Sequence, residues 1–469
     1  MIGRLHMKFP VETLNSIQFR LTIAVLCLAP LVFGSVDQLW IAIWTVLLSV
    51  STLCGVAAPL NGRQSRILFV FLALCLAYAL VAIVQVAPRL FDQLSDPIWQ
   101  RAENLLGLDA APRISSRAEI PPIAIGHFLL LLTAFVSGFF VGTSRRKGDL
   151  LMLVAQYSIL LYALYGLIAL VLTPNMLLWA PKLAYRGSLT ASFVNHNTAA
   201  TFIGSGVILW FCSVYITLQS FRTGSLRLLL LVPSNEHVAF KVILQSAAAL
   251  ICFFALLLTG SRGGLICSSL GVLVAISLMI ANRLQPRFWY ALAGGLATLA
   301  VMAAWLSGIG RIGSQGLFDG ARWSVYGLCI ESIRQRPLLG AGAGTFADLF
   351  PSLRPDNFPG WGVWDFAHST ILEIAVEMGI PMAAMVLIAA VASLIILVQA
   401  ALRSKDRSRS SLSAIAGIVV LTYLHATIDF SLQIPGYLIV FAILLGCGLA
   451  RAAGSPVAPQ YERASVRFG

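Results

Sequence analysis

His368 stands in the segment WDFAHSTILEIAVEMGIP, Trp364 to Pro381, with Asp365, Ser369, Thr370, Glu373 and Glu377 around it. The segment opens a run apolar enough for a membrane, where ionisable groups are costly and functional suspects by default. Thr370 followed by Glu373 has the spacing of a capping box, which predicts a helix start at about His368 to Thr370. The positive end of a helix depresses an imidazole pKa, and a neutral imidazole at neutral pH can act as a general base. A His that caps a helix or lies among lipid headgroups satisfies the same spacing.

Three further stretches carry polar groups of the same kind. In LLLTGSRGGLI, Leu256 to Ile266, an apolar helix reaches Ser261 and Arg262 between glycines and turns straight back. Exposed N–H groups beside a guanidinium make a phosphate site, while a tight hairpin whose Arg snorkels to headgroups has the same sequence. In AYRGSLTASFVNHNTAAT, Arg186, Asn195, His196 and Asn197 crowd the start of a span. Amides there suit sugar hydroxyls, or they cap the helix. Arg311 and Arg322 flank IGSQGLFDGA, where either can pair with Asp319 or serve a second anion. The GxGxG of PLLGAGAGTF, Pro337 to Phe346, follows no strand and reads as a flexible turn rather than a dinucleotide loop.

The elements that must position these groups follow from composition. Of 469 residues, 58% are hydrophobic and 11% charged, with a mean hydropathy of +0.87. Apolar runs of about 18 or more residues read as transmembrane helices. Twelve are expected, near 21–36, 39–58, 67–87, 122–143, 149–172, 197–219, 242–259, 264–281, 288–307, 370–402, 412–429 and 434–450. The fold class is therefore all-α, a polytopic helical bundle forming one transmembrane domain over 1–451, with a tail 452–469 whose composition predicts disorder. With an uncleaved first helix and both termini cytoplasmic, the inner side holds 20 of the 32 Lys and Arg but 5 of the 19 acids. The basic balance thus reports topology and gives no support to a nucleic-acid partner. The eight cysteines are scattered singly, without metal spacing, and read as packing residues.

Two outer loops are long, about 88–121 and 308–368, and loops beyond about 15 residues are functional or disordered. The second carries Trp323, Tyr326, Phe346, Phe350, Phe358, Trp361, Trp364 and Phe366, aromatics suited to stacking on sugar rings. Its residues 319–336 form an amphipathic helical pattern closed by Pro337. Arginines, a His and amides converging on one face fit a phosphate-bearing lipid with a sugar attached. Walker A, HExxH, GxSxG and DxD are absent, which removes support for ATP hydrolysis, zinc proteolysis, serine acyl transfer and metal–nucleotide-sugar chemistry.

The order of these motifs resembles the O-antigen ligase and O-antigen polymerase superfamily of bacterial inner-membrane glycosyltransferases. The resemblance rests on the run Gly187–Asn197, Ser261–Gly263, the Arg322 segment, PLLGAGAGTF and the closing His368, over roughly residues 150–400. In the family's ligases, His is followed by Asn, Ser or Gln, nine residues, Gly, two residues, then Gly, Thr or Tyr. His368, Ser369 and Gly379 fit, and Met382 departs, which leaves ligase and polymerase both open. The resemblance implies that Arg262 and Arg322 hold the pyrophosphate of an undecaprenyl-pyrophosphate glycan and that His368 is catalytic. Arg186, Asn195, Asn197, Arg311 and Ser261 are further candidates for substrate binding. It implies no metal and no cofactor, membrane lipid around the bundle, and an acceptor glycan such as lipid A–core on the periplasmic face. A lipid-glycan transporter is the rival, but its charges belong near the bilayer midplane within repeated, broken helices. Here span centres are almost free of charge and no repeat is visible.

Overall fold

The computed structural model describes residues 11–107, 111–117, 122–220, 236–281, 320–356, 358 and 364–454. Among these, the first helices are α1 (Val11–Leu28), α2 (Gln38–Gly55), α3 (Gly62–Val86), α4 (Pro97–Leu106), α5 (Pro122–Gly142), α6 (Arg145–Leu172) and α7 (His196–Ser220). They are followed by α8 (Glu236–Leu258), α9 (Arg262–Ile280), α10 (Gly320–Gln335), α11 (Phe346–Leu353), α12 (Thr370–Arg403), α13 (Asp406–Ala426) and α14 (Pro435–Gly454). All but α4, α10 and α11 are long and apolar enough to cross a membrane. In lipid a backbone must satisfy its own hydrogen bonds, which such stretches do only as helices. The protein is an all-α, multi-pass membrane protein. A small antiparallel hairpin, Met176–Leu177 on Ala180–Pro181, is the one paired strand element among the described residues.

Eleven of the twelve expected spans have their helix, and the twelfth, 288–307, lies outside the described residues, as do Arg311, Asp319 and the tail beyond 454. Several boundaries move. α1 covers Val11–Leu28 instead of 21–36, because Gly34 takes a left-handed φ of +67° and Phe33–Ser35 form a 3₁₀ turn. α14 runs on to Gly454. α13 stops at Ala426 instead of 429, and Thr427–Ile434 turn back through the 3₁₀ turn Ser431–Gln433. That last difference places Asp429 outside the span.

Buried throughout, α14 is the axis of the bundle. Its Gly446 lies on the Phe135 backbone, and Gly138 of α5 lies on the Ile443 backbone, with no room for a Cβ at either. Close backbone approach is how helices gain dispersion energy where lipid offers no hydrophobic drive.

The described part of the second long loop is a folded cap. Val325 and Cys329 of α10 pack with Ala341, Phe346, Leu349, Phe350, Phe358, Ala367 and Val376 in a core separate from the membrane bundle. Phe346, Phe350 and Phe358 are therefore buried packing residues, not platforms for sugar rings. PLLGAGAGTF is pinned rather than free. The amides of Ala341 and Gly342 donate to the carbonyls of Val376 and Glu377, and those of Gly344 and Phe346 to the Glu377 carboxylate. Against this strap α12 bends at Gly379, whose φ of +81° and contact with the Leu338 carbonyl admit no side chain. The first long loop braces the same cap through Arg336–Asp96 at 2.8 Å and Ser116 N–H to the Ala341 carbonyl at 3.0 Å.

Candidate active site

His368 directly precedes Ser369, the N-cap of α12. Its φ of +53° is left-handed, a conformation that costs a side-chain-bearing residue on the order of 1–3 kcal/mol. Surrounding contacts hold it there. Tyr326 Oη donates to the His368 carbonyl at 2.9 Å, and the ring packs edge-on between Trp364 and Phe430, with centroids at 5.0 and 4.8 Å. The capping box expected of Thr370 and Glu373 does not form. Ser369 is the N-cap, and Glu373 reaches past it to accept from the Ala367 amide at 2.7 Å.

Facing His368 is Asp429, fully buried in the turn between α13 and α14. Its Oδ1 accepts from Asn197 Nδ2 at 3.0 Å and its Oδ2 from Ser431 Oγ at 2.6 Å. His368 Nδ1 lies 3.8 Å from Oδ1, an ion-pair distance longer than a hydrogen bond. Burial pushes the carboxyl pKa up, but His368, His425 and the Ser431 hydroxyl outweigh it and hold it at about 2. Asp429 is thus an anion, with neutral donors on both oxygens. Behind it the chain of hydroxyls continues, since Thr201 Oγ1 lies 3.0 Å from Ser431 Oγ and 2.6 Å from His425 Nδ1.

Two arginines flank this turn. Arg322 of α10 donates from Nη1 to the Ile428 carbonyl at 3.1 Å, one residue before Asp429. Arg262 is the first residue of α9, and its neighbour Gly263 presses on His425 and Ile428 so closely that a Cβ would touch both. The Arg262 side chain is half-buried and makes no hydrogen bond or ion pair with another described residue. The α9 start, the α10 helix and the α12 start therefore meet on residues 425–431.

The remaining sequence candidates divide. Asn197 belongs to the Asp429 cluster. Asn195 is the helix cap its position allowed, since its Oδ1 accepts from the Asn197 amide at 2.7 Å, while its buried Nδ2 has no hydrogen-bond partner. Ser261 is likewise an N-cap, accepting from the Gly264 amide at 3.1 Å. Arg186 is exposed, with Nε on the Lys182 carbonyl at 3.2 Å, beside Tyr185, which stacks on His196. Asp429, His425, Ser431 and Thr201 were not among the sequence candidates. The signal of the first three is HATIDFSLQ, with an ionisable pair four residues apart at the end of a span.

Residues 247–387, which hold Arg262, Arg322 and His368, match the family model for O-antigen ligase, whereas Asn197, His425 and Asp429 fall outside the matched stretch. No curated protein matches the chain. Set in a multi-pass helical bundle, that matched stretch supports the O-antigen ligase superfamily and a ligase- or polymerase-type function.

Proposed function

We propose that the protein transfers a glycan from undecaprenyl pyrophosphate to an acceptor sugar hydroxyl, as a ligase acting on lipid A–core at the periplasmic face of the inner membrane. The observation that carries the reading is the meeting of His368 with a buried Asp429 carboxylate, in a turn that Arg322 bonds at the Ile428 carbonyl and on which Gly263, the residue after Arg262, packs. With Nδ1 turned to the carboxylate, Nε2 is the ring nitrogen left for the acceptor. Nε2 takes the hydroxyl proton while the oxygen bonds to C1 of the donor sugar, and the C1–O bond to the pyrophosphate breaks. Asp429 offsets the charge of the resulting imidazolium, as the acid of a catalytic triad does. Arg262 and Arg322 neutralise the charge that grows on the departing pyrophosphate. That leaving group is already good, so positioning and charge neutralisation suffice, and no metal is required. Attack opposite the leaving group inverts the anomeric centre.

Asn195, Asn197, Arg186, Ser261 and Arg311 remain proposed contacts to substrate or to the loops that hold it. Both termini lie on the cytoplasmic side in this reading, as the basic residues require. A polymerase of the same superfamily is the second reading, because Met382 stands where the ligase pattern ends in Gly, Thr or Tyr.

Deletion of the gene in its host separates the two. Loss of the whole lipopolysaccharide ladder, with long chains accumulating on undecaprenyl pyrophosphate, is the expected ligase outcome. Core bearing a single repeat means polymerase, and an unchanged ladder moves the acceptor elsewhere. His368→Ala should abolish transfer at normal membrane abundance, and wild-type transfer by that variant sinks the assignment. Activity in EDTA is expected to persist.

A further inference from the structure

Glu373 lies one turn into α12, buried, with a hydrogen bond on each oxygen. Oε2 accepts from the Ala367 amide at 2.7 Å, and Oε1 from Gln433 Nε2. Ala367 immediately precedes His368. Gln433 ends the Ser431–Gln433 turn that begins two residues after Asp429 and supplies the Asp429 donor Ser431. One carboxylate therefore ties the chain segment of the imidazole to the chain segment of its acid. Both ties are anchored from outside. Tyr326 holds the His368 carbonyl at 2.9 Å, and the Gln433 carbonyl lies 2.9 Å from His127 Nε2 on α5. Both partners of Glu373 are donors, so the bridge needs two acceptor atoms at this position.

We propose that Glu373 is a positioning residue for the transfer: bridging Ala367 and Gln433, it sets the separation of His368 from Asp429 without touching substrate. The proposal rests on His368 as the base. A misplacement of about 1 Å in a reacting group is enough for losses near 10²-fold, so a bridge this close to the imidazole controls turnover more than affinity. The chemistry also marks which replacement the site tolerates. Gln433 Oε1 is buried without a hydrogen-bond partner. If residue 373 becomes a glutamine, the Gln433 amide can turn over and accept from it, while the new side-chain oxygen still accepts from Ala367. Methionine has similar length and no acceptor.

The test measures kcat and KM of the purified full chain in detergent, with undecaprenyl-pyrophosphate-linked glycan from host membranes as donor and lipid A–core as acceptor. Glu373→Met should lower kcat at least tenfold with donor KM within about twofold, and Glu373→Gln should restore kcat to within about threefold of wild type. Gln433→Leu should resemble Glu373→Met, and the double variant should be no worse than either single, because all three break one bridge. Wild-type kcat in Glu373→Met, or additive losses in the double variant, overturns the proposal. If Glu373→Met does not accumulate, Gln433→Leu decides, since it leaves the Ala367 bond in place, and wild-type kcat there is equally fatal. His368→Ala in the same assay separates the two levels. An active His368→Ala means the base is misassigned, whereas an inactive one beside a fully active Glu373→Met means that only the positioning role fails.

Discussion

Two carboxylates are drawn into the bundle at its opposite ends, and they are held in opposite ways. Asp149, in the first turns of α6, lies 2.7 Å from Arg451 near the end of α14. Its partner is a guanidinium, a permanent cation. Asp429 has neutral donors on both oxygens, and the basic side chain facing it is the His368 imidazole at 3.8 Å. The first arrangement closes a seam between two helices. The second stores an anion where a proton is to arrive, and the difference lies in the partner's ability to titrate.

The comparison breaks most sharply at Asp429 itself. Asp429→Asn keeps the shape but removes the charge that offsets the imidazolium, and it can turn the ring to the wrong tautomer. Loss of kcat by about 10²–10⁴-fold is expected, at unchanged membrane abundance. Near-normal turnover would reduce Asp429 to a structural group like Asp149. The mirror experiment is Arg451→Met, which strands Asp149 at the far end. It should lower stability by on the order of 2 kcal/mol, less than for a fully buried pair because a fifth of Asp149 remains exposed, and leave kcat of the surviving protein unchanged. Thermal unfolding and turnover measured on the same preparation check both halves.

Next in size is the arginine pair. Arg262→Lys keeps the charge but loses the planar fork, and a drop of about tenfold in kcat/KM for the lipid-linked donor is expected. Arg322→Lys should lose more than that, because Arg322 also donates to the Ile428 carbonyl beside Asp429. Equal losses would mean that the Ile428 contact adds nothing to the loss of the fork.

The two ends were not equally readable in the sequence. Apolar runs and the asymmetry of Lys and Arg lead straight to the helices, because lipid leaves a backbone no other way to satisfy itself. Arg262, Arg322 and His368 stand out as charges at the margins of such runs. Asp429 stands at a margin too, yet counting it as the last residue of a span over 412–429 hid it. Its reversal depends on Thr427–Ile434 leaving the helix early, which apolar periodicity does not register. Glu373 was visible, but as half of a capping box. Its actual partners, Ala367 and Gln433, are a local amide and a side chain 60 residues away. The pinned strap was hidden for the same reason, since the Glu377 carboxylate that binds Gly344 and Phe346 is set by the tertiary bend at Gly379.

The smallest effect expected is of pH on Asp429, and its sign follows from a pKa held at about 2, below the ordinary carboxylate value of about 3.9. A depressed pKa means that protons bind the unfolded chain more tightly, so the stability this group contributes is complete above about pH 4 and is lost as pH falls through about 2. Between pH 5 and 9 the carboxylate stays ionised, and its contribution is flat. Any acid limb of the kcat profile in that window therefore belongs to another group. The same comparison applies to the far end, where Arg451 and Asp149 pair away from the candidate site. Profiles of wild type and Arg451→Met should then run parallel from pH 5 to 9, while that of Asp429→Asn, measured on its residual activity, changes shape because the imidazole has lost its anion. An acid limb that survives unchanged in Asp429→Asn would mean the base in this site does not sense Asp429, and the partnership between His368 and Asp429 would fall with it.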